Sequence, residues 1–239
     1  MERAKIALVT GSSRGLGRRM AVRLAEDSAG IAVHYLNRHE EARKTASEVL
    51  KKGAQAAIFC ADLTEERQAC GLIRAVEREF GRVDVLVNGL GPLILKPWDR
   101  ISGREWTAIF RTNLLSALAC MKAVLPGMRK RGSGRIINLG YSRVEQLGSF
   151  PNIVPYAVAK TGLLILTRTA AVSERSAGIT VNMVSPGLIK GGRLPAGLKI
   201  PEGSLGRFED VAEAVAFLAS EKAGRITGTN LIVAGTWKM

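Results

Sequence analysis

Tyr156 and Lys160 are the residues whose types and spacing best suit chemistry. Four positions apart, they share one face of a helix and lie within reach of each other. A phenol with an ordinary pKa near 10 exchanges protons poorly at neutral pH. A cation about 4 Å away contributes on the order of 4 kcal/mol at an effective dielectric of 20, roughly three pKa units. Such a phenol can hand a proton to a carbonyl oxygen or accept one from an alcohol. Tyr-x-x-x-Lys is common by chance, so its weight depends on what precedes it.

What precedes it is a glycine loop, Thr10-Gly11-Ser12-Ser13-Arg14-Gly15-Leu16-Gly17, between the apolar run Ala4–Thr10 and the helical stretch Gly15–Glu26. Glycines there permit a tight turn, close approach of the backbone to a ligand and close helix packing, while amides at the helix N-terminus face a pyrophosphate. At the end of the second strand the sequence reads Tyr35-Leu36-Asn37-Arg38. No acid stands there before Glu40 to hold the ribose of NAD, whereas Arg14 and Arg38 can reach a 2′-phosphate. NADP is therefore expected over NAD. Asp62, followed by Leu63, is placed either to accept from the adenine amino group or to cap the next helix.

These residues need elements to hold them. Strand-like runs at Ala4–Thr10, Ile31–Leu36, Ala56–Cys60, Val83–Val87, Gly134–Gly140, Ile179–Val184 and Asn230–Ala234 alternate with helical stretches. The helices are expected at Gly15–Glu26, Glu40–Lys51, Glu65–Phe80, Gly103–Lys130, Tyr156–Ser176 and Glu209–Ser220, with Ser102 and Glu105 as a capping box. Apolar strands in βαβ alternation call for an α/β, Rossmann-type doubly wound parallel sheet of seven strands with helices on both faces. No linker or repeat interrupts it, so residues 1–239 are expected to form a single domain. The stretch 186–207, with three prolines and six glycines, reads as a long loop covering a substrate.

Taken together, Thr10-Gly-x-x-x-Gly-x-Gly17, Asp62, Asn88-Gly-Leu-Gly91, Asn113, Tyr156-x-x-x-Lys160 and Pro186-Gly187 resemble the short-chain dehydrogenase/reductase family across the whole chain. The resemblance implies that Tyr156 is the acid/base and that Lys160 holds the nicotinamide ribose and lowers the tyrosine pKa. It implies that Asn113 anchors a relay water, that Asn88, Gly89, Pro186, Gly187 and Ile189 contact the cofactor, and that the chain forms a homo-oligomer, a tetramer or dimer. The family's substrate-orienting serine is irregular here. Counting back from Tyr156 gives Arg143; matching outward from Ile136-Ile137-Asn138-Leu139-Gly140 gives Tyr141, with Ser142 beside it. Either hydroxyl can substitute. The expected activity is hydride transfer between nicotinamide and a carbonyl or alcohol, with a 3-oxoacyl thioester on an acidic carrier protein as first substrate. The alternative is an NADP(H)-binding sensor or structural subunit with little catalysis.

Composition narrows the remaining classes. The net charge of +14 favours anionic partners, but the cations are scattered, so no specific nucleic-acid site is expected. Apolar runs are too short to suggest a membrane span, and no signal peptide is evident. Cys60, Cys70 and Cys120 follow no metal-site spacing and suit packing in a cytoplasmic protein. His34 and His39 likewise match no usual metal site and are read as strand packing and surface.

Overall fold

The computed structural model describes residues 5–191 and 204–235. Its seven strands are β1 (Lys5–Val9), β2 (Ser28–Tyr35), β3 (Gln55–Cys60), β4 (Val85–Asn88), β5 (Gly134–Leu139), β6 (Ile179–Pro186) and β7 (Asn230–Val233). All pair in parallel, in the order β3-β2-β1-β4-β5-β6-β7. Helices α1 (Gly15–Leu24), α2 (His39–Lys51), α3 (Glu66–Phe80), α4 (Gly103–Phe110), α5 (Ser116–Arg131), α6 (Val154–Glu174) and α7 (Phe208–Ala219) cover the two faces. The expected doubly wound parallel sheet is thus present.

The two-residue period of a strand decides which layer each side chain enters. From β1, Ala7 and Val9 pack with α1 and α7, while Ile6 and Leu8 pack with α3 and α5. From β4, Val85 and Val87 join the first layer and Leu86 the second. Each such Val, Leu or Ile, fully buried, contributes about 1.5–3 kcal/mol relative to exposure. The strand order reverses between β1 and β4, which opens a crevice at their carboxyl ends.

Two local features differ from the sequence expectation. β2 begins at Ser28, because parallel pairing with β1 starts at Lys5 and extends through small residues that carry no apolar signal. The single helix expected over Gly103–Lys130 is interrupted by a π-helical turn at Arg111–Leu115, which holds Asn113. The combined helix Gly103–Arg131 is, among the described residues, the one long and apolar enough to cross a membrane; half of its apolar window is buried within the fold. The capping box forms as expected, with Glu105 N–H donating to Ser102 Oγ and Ser102 N–H donating to Glu105 Oε2. Most of the expected substrate loop, 192–203, lies outside the described residues.

Candidate active site

The glycine loop is held by close contacts that exclude side chains. A Cβ on Gly17 would lie 2.2 Å from Gly11 O, and one on Gly89 would lie 2.6 Å from Thr10 O. Thr10 ties the loop to β4, its amide donating to Val87 O and its hydroxyl accepting from Gly89 N–H at 3.0 Å. His34, which the sequence reading assigned to packing, fastens the loop from the other side. Its Nδ1 accepts from Gly11 N–H at 3.0 Å, so Nε2 carries the proton and donates to Ala61 O at 3.0 Å. Burial lowers the His34 pKa and favours this neutral form.

The helix that follows begins without a side-chain cap. Arg14 stands at its N-cap in extended backbone, and Gly15 has φ of 55° with nothing within 4 Å of the place a Cβ would occupy. An uncapped helix N-terminus beside open space fits a pyrophosphate. Arg14, Asn37 and Arg38 are exposed, and neither arginine has an acidic partner among the described residues. Asp62 does not cap α3, whose N-cap is Glu65. Its Oδ1 accepts from the amide and hydroxyl of Thr64, an Asx turn at the end of β3, and Leu63 is buried beneath it.

Tyr156 and Lys160 come together on α6. Lys160 is buried, and its ammonium donates to Leu139 O at 2.7 Å and Leu90 O at 3.1 Å, the chain ends of β5 and β4. Two of its three N–H groups are thereby used. Nζ lies 5.7 Å from the Tyr156 ring centroid. The expectation that this cation depresses the phenol's pKa is corrected here: burial dominates and raises the Tyr156 pKa, with Tyr141 adding to the rise. Burial also lowers Lys160 to about 7. The ammonium donates to backbone carbonyls rather than to the phenol.

Asn113 sits one layer behind. Its Nδ2 donates to Ile109 O and to Pro92 O, both at 3.1 Å, while its buried Oδ1 has no partner among the described residues. A Cβ on Gly91 would meet Lys160 Nζ at 3.4 Å and Asn113 Oδ1 at 3.6 Å, so glycine there keeps the two polar groups in one compartment. The Asn88 side chain is structural: it donates to Asn138 Oδ1, and Asn138 donates to Thr167 Oγ1 on α6. That buried relay fixes α6 against β4 and β5. Only spatial proximity reveals it.

In front of the pair lies a cavity of about 600 Å³, at the carboxyl ends of β4, β5 and β6. Leu93, Leu95, Phe150, Ile153 and Phe208 give it apolar walls; Tyr141, Ser142, Arg143, Tyr156 and Lys160 are its polar lining. Pro186, Gly187 and Ile189 form its far side. Gly187 N–H donates to Val233 O, and Pro186 O accepts from Ser142 N–H. Tyr141 packs 5.5 Å from Tyr156 between ring centroids, and its buried hydroxyl has no partner among the described residues. A second cleft, about 700 Å³, lies at the amino ends of the strands, where Lys5 pairs with Glu221 and Arg23 with Glu213.

Residues 11–236 match the family model described as enoyl-(acyl carrier protein) reductase. The chain is 38% identical to a 3-oxoacyl-[acyl-carrier-protein] reductase of Staphylococcus aureus, over 98% of each chain. The chain belongs to the short-chain dehydrogenase/reductase family. A putative short-chain alcohol dehydrogenase from Sinorhizobium meliloti superposes with a TM-score of 0.90 at 31% identity, covering 98% of this chain and 96% of that one. An NAD⁺-bound xylitol dehydrogenase superposes with a TM-score of 0.88 at 28% identity, over 97% and 98%. This short-chain dehydrogenase/reductase is an oxidoreductase acting on CH–OH or C=O groups with a nicotinamide dinucleotide.

Proposed function

We propose that the chain is an NADP-dependent carbonyl reductase whose substrate is a 3-oxoacyl thioester presented on an acidic carrier protein. The observation that carries this is the convergence of Tyr156 and Lys160 on an apolar cavity next to the uncapped N-terminus of α1. When bound, NADPH supplies the hydride. The chain's own part is the proton. With its pKa raised by burial, Tyr156 stays protonated at neutral pH, the form an acid needs to donate from Oη to a carbonyl oxygen. Lys160 keeps one N–H uncommitted and titrates near neutrality, so it can hold a cofactor hydroxyl and return a proton to the site. The unpartnered Oδ1 of Asn113 would receive a water behind it.

Tyr141 rather than Ser142 is assigned to orient the carbonyl, since it lines the cavity, its ring packs against Tyr156 and its Oη has no partner among the described residues. Arg14 and Arg38, neither with an acidic partner among the described residues, favour the 2′-phosphate of NADP over NAD. The reductase of Staphylococcus aureus supports the carrier-bound substrate by its name, and the charge of +14 suits an acidic carrier. A homo-oligomer would cover Leu115, Val158, Ile165 and Val172, which leave between 47% and 67% of their surface exposed along the π turn and α6. Three unpaired cysteines, Cys60 among them exposed, suit a reducing cytoplasm.

The irregular serine position favours a second reading, a dinucleotide sensor with little turnover. Steady-state oxidation of NADPH and NADH, side by side across 3-oxoacyl thioesters and simple ketones, separates the two. The reductase reading expects substrate-dependent turnover, NADPH preferred by about tenfold or more. Arg38→Ser should erode that preference, and Tyr156→Phe should abolish the rate. Tight NADPH binding with no carbonyl-dependent rate would establish the sensor instead.

A further inference from the structure

The cavity rim carries a cation that no carboxylate among the described residues neutralises. Arg143 lines the cavity with Tyr141, Phe150 and Tyr156. Its Cζ lies 4.9 Å from the Phe150 ring centroid, and its Nε donates to Gln146 Oε1 at 2.7 Å. These contacts fix the plane of the guanidinium and leave Nη1 and Nη2 without an acceptor among the described residues. Glu145, the adjacent acid, is engaged elsewhere, ion-paired with Arg168 and accepting from Asn230 Nδ2 at 3.1 Å. Phe150 stands edge-on to Tyr141 at 6.0 Å, and Tyr141 reaches Tyr156 at 5.5 Å. An aromatic wall therefore runs from the proton donor to an unneutralised guanidinium.

We propose that Arg143 is a subsite for an anion, a carboxylate or phosphate, on the part of the substrate remote from the reacting carbonyl. The assignment of the carbonyl end rests on the reductase reading; the anion subsite stands on its own contacts. A planar fork with two free terminal nitrogens matches the two oxygens of an oxyanion, and a guanidinium already stacked and tethered loses little rotamer freedom on binding. The apolar walls between the two ends select a substrate that is hydrocarbon-like in the middle and charged at its end. Two sources supply that charge: an acid at the tail of the acyl chain, or the phosphate of a carrier's prosthetic arm.

Three thioesters distinguish them under saturating NADPH: neutral acetoacetyl-N-acetylcysteamine, 3-oxoadipyl-N-acetylcysteamine with its terminal carboxylate, and acetoacetyl-4′-phosphopantetheine. Arg143→Gln should raise KM for one charged thioester by about tenfold, leaving kcat and the neutral thioester within about twofold. Arg143→Lys should recover only part of the loss, because an ammonium lacks the fork. Which charged probe responds identifies the source. Equal effects on all three, or none on either charged probe, would overturn the subsite while leaving the reductase reading intact. If no thioester turns over, the reductase reading falls. Calorimetry of the NADPH-loaded protein with adipate and 4′-phosphopantetheine against neutral pantetheine then tests the subsite alone. Binding of a charged ligand weakened about tenfold by Arg143→Gln supports it, and binding indifferent to Arg143 refutes it.

Discussion

Around the glycine loop the molecule presents main chain: Gly17 and Gly89 matter because no side chain fits there, and Thr10 and His34 hold backbone groups in place. Around Tyr156 it presents side chains, with Tyr141, Phe150, Ile153 and Phe208 shaping a cavity whose polar atoms are partly unpartnered. The nucleotide end is consequently over-determined and intolerant of added atoms. The substrate end tolerates exchange of side chains and pays in turnover. Lys160 belongs to both, since it links the chain ends of β4 and β5 beneath the Tyr156 phenol.

The largest effect should come from adding a methyl at the nucleotide end. Gly17→Ala places a carbon 2.2 Å from Gly11 O, which costs about 3 kcal/mol and should remove dinucleotide binding measured by fluorescence titration. Retained affinity would break the contrast. Lys160 follows, through pH. Its folded pKa of about 7 lies below its unfolded value of about 10.4, so the folded state binds fewer protons between them. Stability of the wild type, relative to Lys160→Met, should therefore fall on the order of 3 kcal/mol as pH drops from about 10 to about 7, then level off. Urea melts across that range check the slope.

At the substrate end, Tyr141→Phe should lower kcat by about 10² while leaving the melting temperature unchanged or raised, because the deleted hydroxyl is buried without a partner. A matching loss of stability would mean the hydroxyl serves the fold. The smallest effect concerns His34. His34→Phe orphans Gly11 N–H and Ala61 O and should cost about 1–2 kcal/mol, with weaker dinucleotide binding. Since the His34 pKa is lowered on folding, the wild type should lose stability as pH falls below about 6.5, and the variant should lack that component.

The sheet and the loop were legible because they rest on local rules. Apolar runs such as Ile136-Ile137 and the spacing Gly11, Gly15, Gly17 carry their meaning within a few residues. His34 was not legible as a fastener, since Gly11 and Ala61 reach it only through the pairing of β2 with its neighbours. The Asn88–Asn138–Thr167 relay joins three elements and leaves no periodic trace. The Tyr-Lys spacing correctly placed both groups at one cavity, yet helical geometry could not say that the ammonium would turn to Leu90 and Leu139. Ser142 lines the cavity as expected, but burial singles out its neighbour Tyr141.

The π turn at Arg111–Leu115 works as a phase shifter between two helices that would otherwise be continuous. Each residue advances an α-helix by about 100°, so one residue beyond the regular repeat rotates everything after it by about a quarter turn. That offset lets α4 address α6 while α5 turns its apolar stripe toward α3 and the sheet. It also brings Asn113 inward at the joint. Removing one residue from this turn would force the rod to serve only one of its two neighbours.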